Sequence, residues 1–376
     1  MRSVRATFVL FGIFWGTWAV AALDVQHFLD FSDAQLGLLL AATVFGGAIA
    51  NGAGGVLAER HGTRVVLAVA LAVWGALLAL LAAMTSAPLF CIAFLLTVSG
   101  GGLVDVTMNV AGTAALGSSP ARLLRLHALF NAGALLGAGA SGVLLANDVS
   151  FRAIWAGISV LALSLAAWCL ASELPAGERG EHYTVREGLA ALRAEGLMMV
   201  AVVFAIGALV EGGVGTWGVL FLRDHLGLAV AAGAGAYVAG QALATIARST
   251  LGWTAEHVGE RRGAQLGLAV AGIGLLIEAV STSSWLAAVG LGAAAVGASI
   301  YWPLLLAFAS RGGDRPGLVV GGLSAAGYVG FLAGPPVVGW VAQALDLRWG
   351  LALLGSASLA GALVRLRSPV AVSRSA

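Results

Sequence analysis

An all-α membrane protein of twelve transmembrane helices, arranged as two pseudo-symmetric six-helix bundles, is the fold this sequence predicts. Three observations carry the prediction: composition, the spacing of apolar runs, and an internal repeat. The chain has 376 residues, 60% hydrophobic and 10% charged, with a mean hydropathy of +0.95. Soluble domains carry about 25% charged residues. A chain this apolar has too little polar surface to cover itself in water, and a bilayer is the solvent that suits it.

A spanning helix needs about 20 apolar residues. Twelve such runs stand between charged, proline or serine breaks: 7–29, 36–57, 65–84, 89–113, 123–146, 151–171, 197–222, 230–252, 264–283, 285–309, 317–343 and 348–366. The first follows Arg2 and Arg5 and is longer than the apolar core of a signal peptide, so it reads as a retained helix. The second ends at Glu59-Arg60-His61-Gly62, and the third at Thr85-Ser86 before Pro88. The fourth and fifth flank Ser118-Ser119-Pro120, and Asp148 separates the fifth from the sixth. A polar stretch over 172–196 then carries eight charged residues. It reads as a cytoplasmic linker holding a short amphipathic helix near 185–194. The domains expected are therefore 1–171 and 197–376. The 54 glycines do not oppose this assignment, because small residues let membrane helices approach closely.

Arginine placement sets the orientation. All 20 basic residues are arginine. With the N-terminus inside, the cytoplasmic segments hold 16 of them and the outer loops only Arg152, Arg223 and Arg348, while Arg248 lies within a run. Both termini are thus expected in the cytoplasm, with the chain in a bacterial cytoplasmic membrane.

The halves echo each other. Gly16-Thr17-Trp18 recurs as Gly215-Thr216-Trp217. Gly55, Ala58, Glu59, Gly62 and Arg64 recur as Gly252, Ala255, Glu256, Gly259 and Arg261. Gly133, Gly137 and Gly142 in the fifth run recur as Gly330, Gly334 and Gly339 in the eleventh. Halves repeated in one orientation are related by an axis along the membrane normal.

The stretch Gly55-Val-Leu-Ala-Glu59-Arg60-His-Gly62-Thr-Arg64 resembles the loop 2–3 signature of the major facilitator superfamily, with Glu59 in place of the usual aspartate. A narrower likeness lies in Asp105-Val-Thr-Met-Asn109, His127-Ala-Leu-Phe, Glu211-Gly212 and Gly327-Tyr328 through Gly334-Pro335-Pro336. These resemble the fucose-permease-like branch and its uncharacterised bacterial members, which usually carry a glutamate late in span four, where this chain has Leu116. The drug–proton antiporter Gly-Pro of span five is absent, the stretch being Gly137-Ala138-Gly139. The resemblance implies alternating-access transport, a cavity lined by spans 1, 4, 7 and 10, and a conformational latch at Gly55, Glu59, Arg60, Gly62 and Arg64, repeated at Gly252, Glu256, Gly259 and Arg261. The latch arginines are expected to meet the cytoplasmic ends of spans four and eleven.

Several polar residues stand within the apolar runs. Asp105 lies about 16 Å deep at 1.5 Å per residue, where a bare carboxylate costs on the order of 3 kcal/mol. Antiparallel pairing of spans four and five places Asp105 level with Asn131 and Asn109 level with His127. Such a cluster can relay protons or lock two helices together. Glu211 and Gln241 stand at similar depth in spans seven and eight. Trp15, Trp18, Trp217, Tyr301 and Trp302 are candidates for stacking on a solute, with interfacial anchoring the rival. Glu278 reads as an acid snorkelling near a span end, and Arg248 as a side chain that snorkels or pairs near the loop.

These residues give the expectation of a proton-coupled transporter for a small neutral polar solute such as a sugar or polyol, there being no arginine at the midplane. Efflux of lipophilic or cationic drugs is the alternative. A transporter-like receptor or scaffold is the alternative from another class. No nucleophile elbow, phosphate-cradling loop or His/Cys metal spacing occurs, and Cys91 and Cys169 sit in apolar runs. An enzyme is not expected, nor a cofactor, a metal or a nucleic-acid partner. The partners expected are a solute, protons and the lipid bilayer, with the chain acting as a monomer.

Overall fold

The computed structural model describes residues 1–116, 120–174, 185–249, 251–310 and 316–366. It leaves out the side chains of residues 55, 59, 113–116, 120–125, 185, 251, 252, 316 and 317. Among the described residues every regular element is a helix. The first six are α1 (Arg2–Leu29), α2 (Asp33–His61), α3 (Thr63–Ala83), α4 (Ala87–Leu116), α5 (Pro120–Ala146) and α6 (Phe151–Leu170). The short α7 (Val185–Ala194) follows in the polar stretch, then α8 (Met198–Gly213) and α9 (Val230–Ser249). The last five are α10 (Leu251–His257), α11 (Glu260–Val280), α12 (Ser284–Ser310), α13 (Pro316–Ala344) and α14 (Leu347–Leu363).

Among the described residues eleven helices are long and apolar enough to cross a membrane. The twelfth, α14, has 17 residues, about 25 Å at 1.5 Å per residue and the short end of what a bilayer core accepts. Large apolar side chains such as Phe45, Ile49, Val160, Ile246 and Trp285 lie more than half exposed, as expected for surfaces that meet lipid rather than water.

Local chemistry fixes the helix ends. Ser32 and Gln35 cap α2 reciprocally: the Ser32 N–H donates to Gln35 Oε1 at 2.9 Å and the Gln35 N–H to Ser32 Oγ at 3.4 Å. Asp346 caps α14 by accepting from the Arg348 N–H at 2.8 Å. Gly62 and Gly259 open α3 and α11 with almost the same backbone, φ 82° and ψ 146° against φ 84° and ψ 147°. Only glycine adopts that conformation readily, so the repeat in sequence is here a repeat in geometry.

Contacts divide the chain into two compact units: Met1–Phe31, Leu39–Gly180 and Ala229–Val238, and Ser32–Leu38, Glu181–Leu228 and Ala239–Ala376. In the first, α5 lies directly on α1. A Cβ added to Gly133 or Gly137 would strike the backbone of Val9 or Ile13, and Ser141 Oγ donates to Thr17 Oγ1 at 2.8 Å. The first turns of α9 join this unit, Ala234 packing with Val20 and Ala138. In the second unit α13 lies on α8 in the same manner, Gly330 against Ala205 and Gly334 against Leu209. Here α7 packs Gly188 against Gly322 of α13, and the start of α2 sets Gly37 against Pro335.

These contacts make Val9 correspond to Ala205 and Ile13 to Leu209. Carried forward, the register pairs Gly16 with Gly212, not with Gly215 as the Gly-Thr-Trp match suggests. The slip is about one helical turn. It falls where α8 passes into two π-helical turns, Val214–Gly218 and Phe221–His225; such wide turns are frequent at functional sites.

Candidate functional site

Two polar clusters stand within the apolar helices, one in each unit. In the first, Asp105 of α4 is half-buried. It accepts from Asn51 Nδ2 of α2 at 3.4 Å and from Asn109 Nδ2, one turn along α4, at 3.1 Å. Asn109 Nδ2 also reaches the Asp105 carbonyl at 2.9 Å. The partner of Asp105 across the helix interface is therefore Asn51, not the expected Asn131. The reason lies in packing, for the glycines of α5 draw it onto α1. His127 is exposed and meets Phe8 edge-on at 5.6 Å, while Asn131 is half-buried. Asn51 escaped the sequence reading because a lone amide in an apolar helix gives no spacing signal. No cation pairs with Asp105 among the described residues.

In the second cluster Glu211 of α8 accepts from Tyr301 Oη at 3.3 Å. Its other carboxylate oxygen lies 3.9 Å from Arg248 Nη2. Arg248 Nε also donates to the Ser299 carbonyl at 3.4 Å. Arg248, expected to snorkel or to pair near the loop, instead pairs with Glu211, so the chain does carry an arginine beside that acid. An arginine one turn from a helix end has a side chain long enough to reach the next acid. Gln241 is half-buried, and its carbonyl accepts from Thr245 Oγ1.

The aromatic candidates separate by burial. Trp18 is 3% exposed and packs on Phe94 at 4.9 Å; Trp217 is fully buried. Both are enclosed in helix packing rather than placed at a lipid interface. Trp15 is half-buried beside Phe11 and Phe14. Tyr301 is buried with its hydroxyl on Glu211. Trp302 stays half-buried and lies 4.1 Å from Phe204 and 5.9 Å from Phe331, an aromatic patch adjoining the second cluster.

At the latch, Arg60 and Arg64 are exposed. The side-chain surroundings of positions 55, 59 and 252 are outside what the structure describes, as are the residues at the α4–α5 and α12–α13 turns where partners were expected. Glu256 is exposed. Arg261 Nη1 donates to the Leu366 carbonyl at 3.0 Å, and Gln265 Nε2 to the Val364 carbonyl at 2.8 Å. The second latch copy thus holds the segment that follows α14. Glu278, expected at the surface, is instead completely buried in α11. A recess between α1 and α6, lined by Val9, Ile13, Leu161 and Trp168, is apolar and holds none of these candidates.

Helices of this length and order, with matched glycine turns opening α3 and α11, are the frame in which both clusters sit. The family model of the Major Facilitator Superfamily matches residues 6–311. The chain belongs to the major facilitator superfamily. It is a multi-pass membrane transporter, not an enzyme, and superfamily members bind small-molecule solutes within the membrane. It is 28% identical over 372 residues to an uncharacterized MFS-type transporter of Yersinia pestis, covering 96% of this chain and 95% of that one. In fold it is similar to a variant of the nucleoside transporter NupG, with a TM-score of 0.80 at 14% identity over 96% of this chain and 97% of that one. It is likewise similar to a D-xylose–proton symporter, with a TM-score of 0.73 at 16% identity over 96% of both chains.

Proposed function

We propose that this superfamily member is a proton-coupled secondary transporter of a small neutral polar solute, a sugar or polyol, working by alternating access with Asp105 as its proton-carrying group. One observation carries the reading. Asp105 is held by two amide donors and has no cation paired with it among the described residues, whereas Glu211 is compensated by Arg248. A neighbouring guanidinium favours the ionised form of a carboxyl; one held only by amides can gain and lose a proton as water reaches it. The two acids divide into a proton carrier and a structural or solute-contacting anion.

Glu211, Tyr301, Gln241 and Trp302 form the solute-contacting set in this reading, with hydrogen-bonding groups for hydroxyls and an aromatic face for a ring. The Arg248 charge is matched by Glu211, so it does not argue for an anionic solute. The likeness of Asp105-to-Asn109 and of Gly327-to-Gly339 to the fucose-permease-like branch favours the sugar class. Gly62, Gly259 and Arg261 belong to the latch that sets the exchange rate. The arginine distribution favours a bacterial cytoplasmic membrane with both termini inside, and the protein acts as a monomer with two bundles, 1–171 and 197–376.

Counterflow of labelled pentoses, hexoses, polyols and nucleosides into proteoliposomes tests the solute class. Saturable exchange of one neutral polyhydroxy compound is expected. Exchange confined to lipophilic cations contradicts the reading, and no exchange by any class would favour a receptor.

A further inference from the structure

Among the described residues, Glu278 is the one acid of the membrane-crossing helices that belongs to neither cluster and is sealed from water. Its side chain is 0% exposed, and neither carboxyl oxygen has a hydrogen-bond partner among the described residues. It points at the first π-helical turn beyond α8: a Cβ added to Gly218 would lie 3.1 Å from Oε1 and 3.5 Å from Oε2. Gly290 of α12 closes the other side, its Cβ position 2.7 Å from the Glu278 backbone nitrogen. The indole N–H of Trp217, the residue before Gly218, is also buried without a hydrogen-bond partner among the described residues.

The surrounding charges do not compensate it. Arg348 of α14 reaches the backbone just beyond Glu278, but its Nη1 donates to the carbonyls of Ala279 and Ser281 at 3.0 and 2.9 Å. Its Nε donates to His225 Nε2 at 2.8 Å. His225 in turn lies 3.7 Å from Asp346. Arg223 and Asp224 occupy the second π-helical turn. The only titratable side chain of α12 is Tyr301, which is bonded to Glu211. On α11 itself Glu260, Arg261 and Arg262 stand at the opposite end.

A carboxylate buried without a partner is far costlier than its neutral acid. We propose that Glu278 is a second proton-binding site, which carries a proton while packed against Gly218 and releases it to water when the π-helical turn Val214–Gly218 moves away. The packed state then binds one more proton than the opened one, so alkaline pH favours opening, by up to tenfold per pH unit between the proton affinities of the two states. This inference concerns a different helix from Asp105 and does not depend on the Asp105 reading.

The test uses the full chain in lipid nanodiscs. Infrared difference spectra of wild type against Glu278→Gln at neutral pH should show loss of a neutral-carboxyl C=O stretch. Loss of carboxylate bands alone overturns the proposal. Amide hydrogen exchange of peptides covering 214–225, corrected for intrinsic rates, should rise with pH in wild type by up to about tenfold per unit and stay flat in Glu278→Gln. An unchanged pH profile in the variant overturns the gating role. Should Glu278→Gln fail to fold, Glu278→Met takes its place with the same two readouts. Failure of both isosteres to fold overturns the proposal, since a neutral unpaired acid is replaceable by either.

Discussion

The matched glycines that open α3 and α11 offer a clean perturbation. At Gly62 and Gly259 φ is positive, yet a Cβ added at either would find nothing within 4 Å. The whole cost of Gly62→Ala is therefore backbone strain, about 1–3 kcal/mol for a residue held in this region. Gly47 is the control: its Cβ position is also open, its φ is not positive, and it lies inside α2. There alanine should be neutral or stabilising by up to about 1 kcal/mol, the helix-propensity difference. Gly62→Ala and Gly259→Ala should each lower the midpoint of a denaturant titration in mixed micelles by that strain, and the double variant by the sum, since the two sites belong to different units. In counterflow each should slow exchange more than it weakens solute binding. The reasoning fails if Gly62→Ala is as harmless as Gly47→Ala, or if it weakens binding alone.

Three further outcomes follow from the packing and the clusters. Gly137→Val forces a side chain into the Ile13 backbone and should destabilise by about 1–3 kcal/mol, while Gly139→Val, with open space, should cost less than about 0.5 kcal/mol; thermal unfolding of the two at one scan rate separates them. The Glu211–Arg248 pair is about one-third exposed on each side. A double-mutant cycle with Glu211→Gln and Arg248→Gln should therefore give a coupling of about 1 kcal/mol or less, and a value several times larger would mean the pair is closed to water. Trp302→Ala should weaken solute binding roughly tenfold, about 1.4 kcal/mol. Trp18→Ala should instead lower stability and leave affinity unchanged, and the opposite pattern in a binding and unfolding comparison would exchange their roles.

The spans, their number and the glycine turns were legible because each rests on a strong local signal: twenty apolar residues, or a glycine that geometry requires. The Gly-Thr-Trp repeat was legible but slipped by a turn, since matching letters cannot reveal that π-helical turns follow Gly213. The polar clusters were half legible. Asp105, Asn109 and Glu211 stand out as polar residues in apolar helices, but their partners depend on which helix packs where. Asn51 and Arg248 reach them from α2 and α9, and no spacing rule joins residues that far apart. Glu278 was misplaced by counting its distance from a span end. A stripe was there to be seen: Gly267, Ala271, Gly274 and Glu278 share one face of α11 and all are buried. Small residues at that period mark the face that packs.

The central claim, that Asp105 carries the coupling proton, is tested most directly by Asp105→Asn in proteoliposomes. Solute counterflow and pH-gradient-driven accumulation are measured on the same preparation, once counterflow has named the solute. Asparagine imitates the protonated acid and can keep an amide contact to Asn51 and Asn109. The account predicts counterflow near the wild-type rate with accumulation abolished, while Glu211→Gln, taken alongside, retains a gradient response. Full pH-driven accumulation by a well-folded Asp105→Asn protein would contradict it.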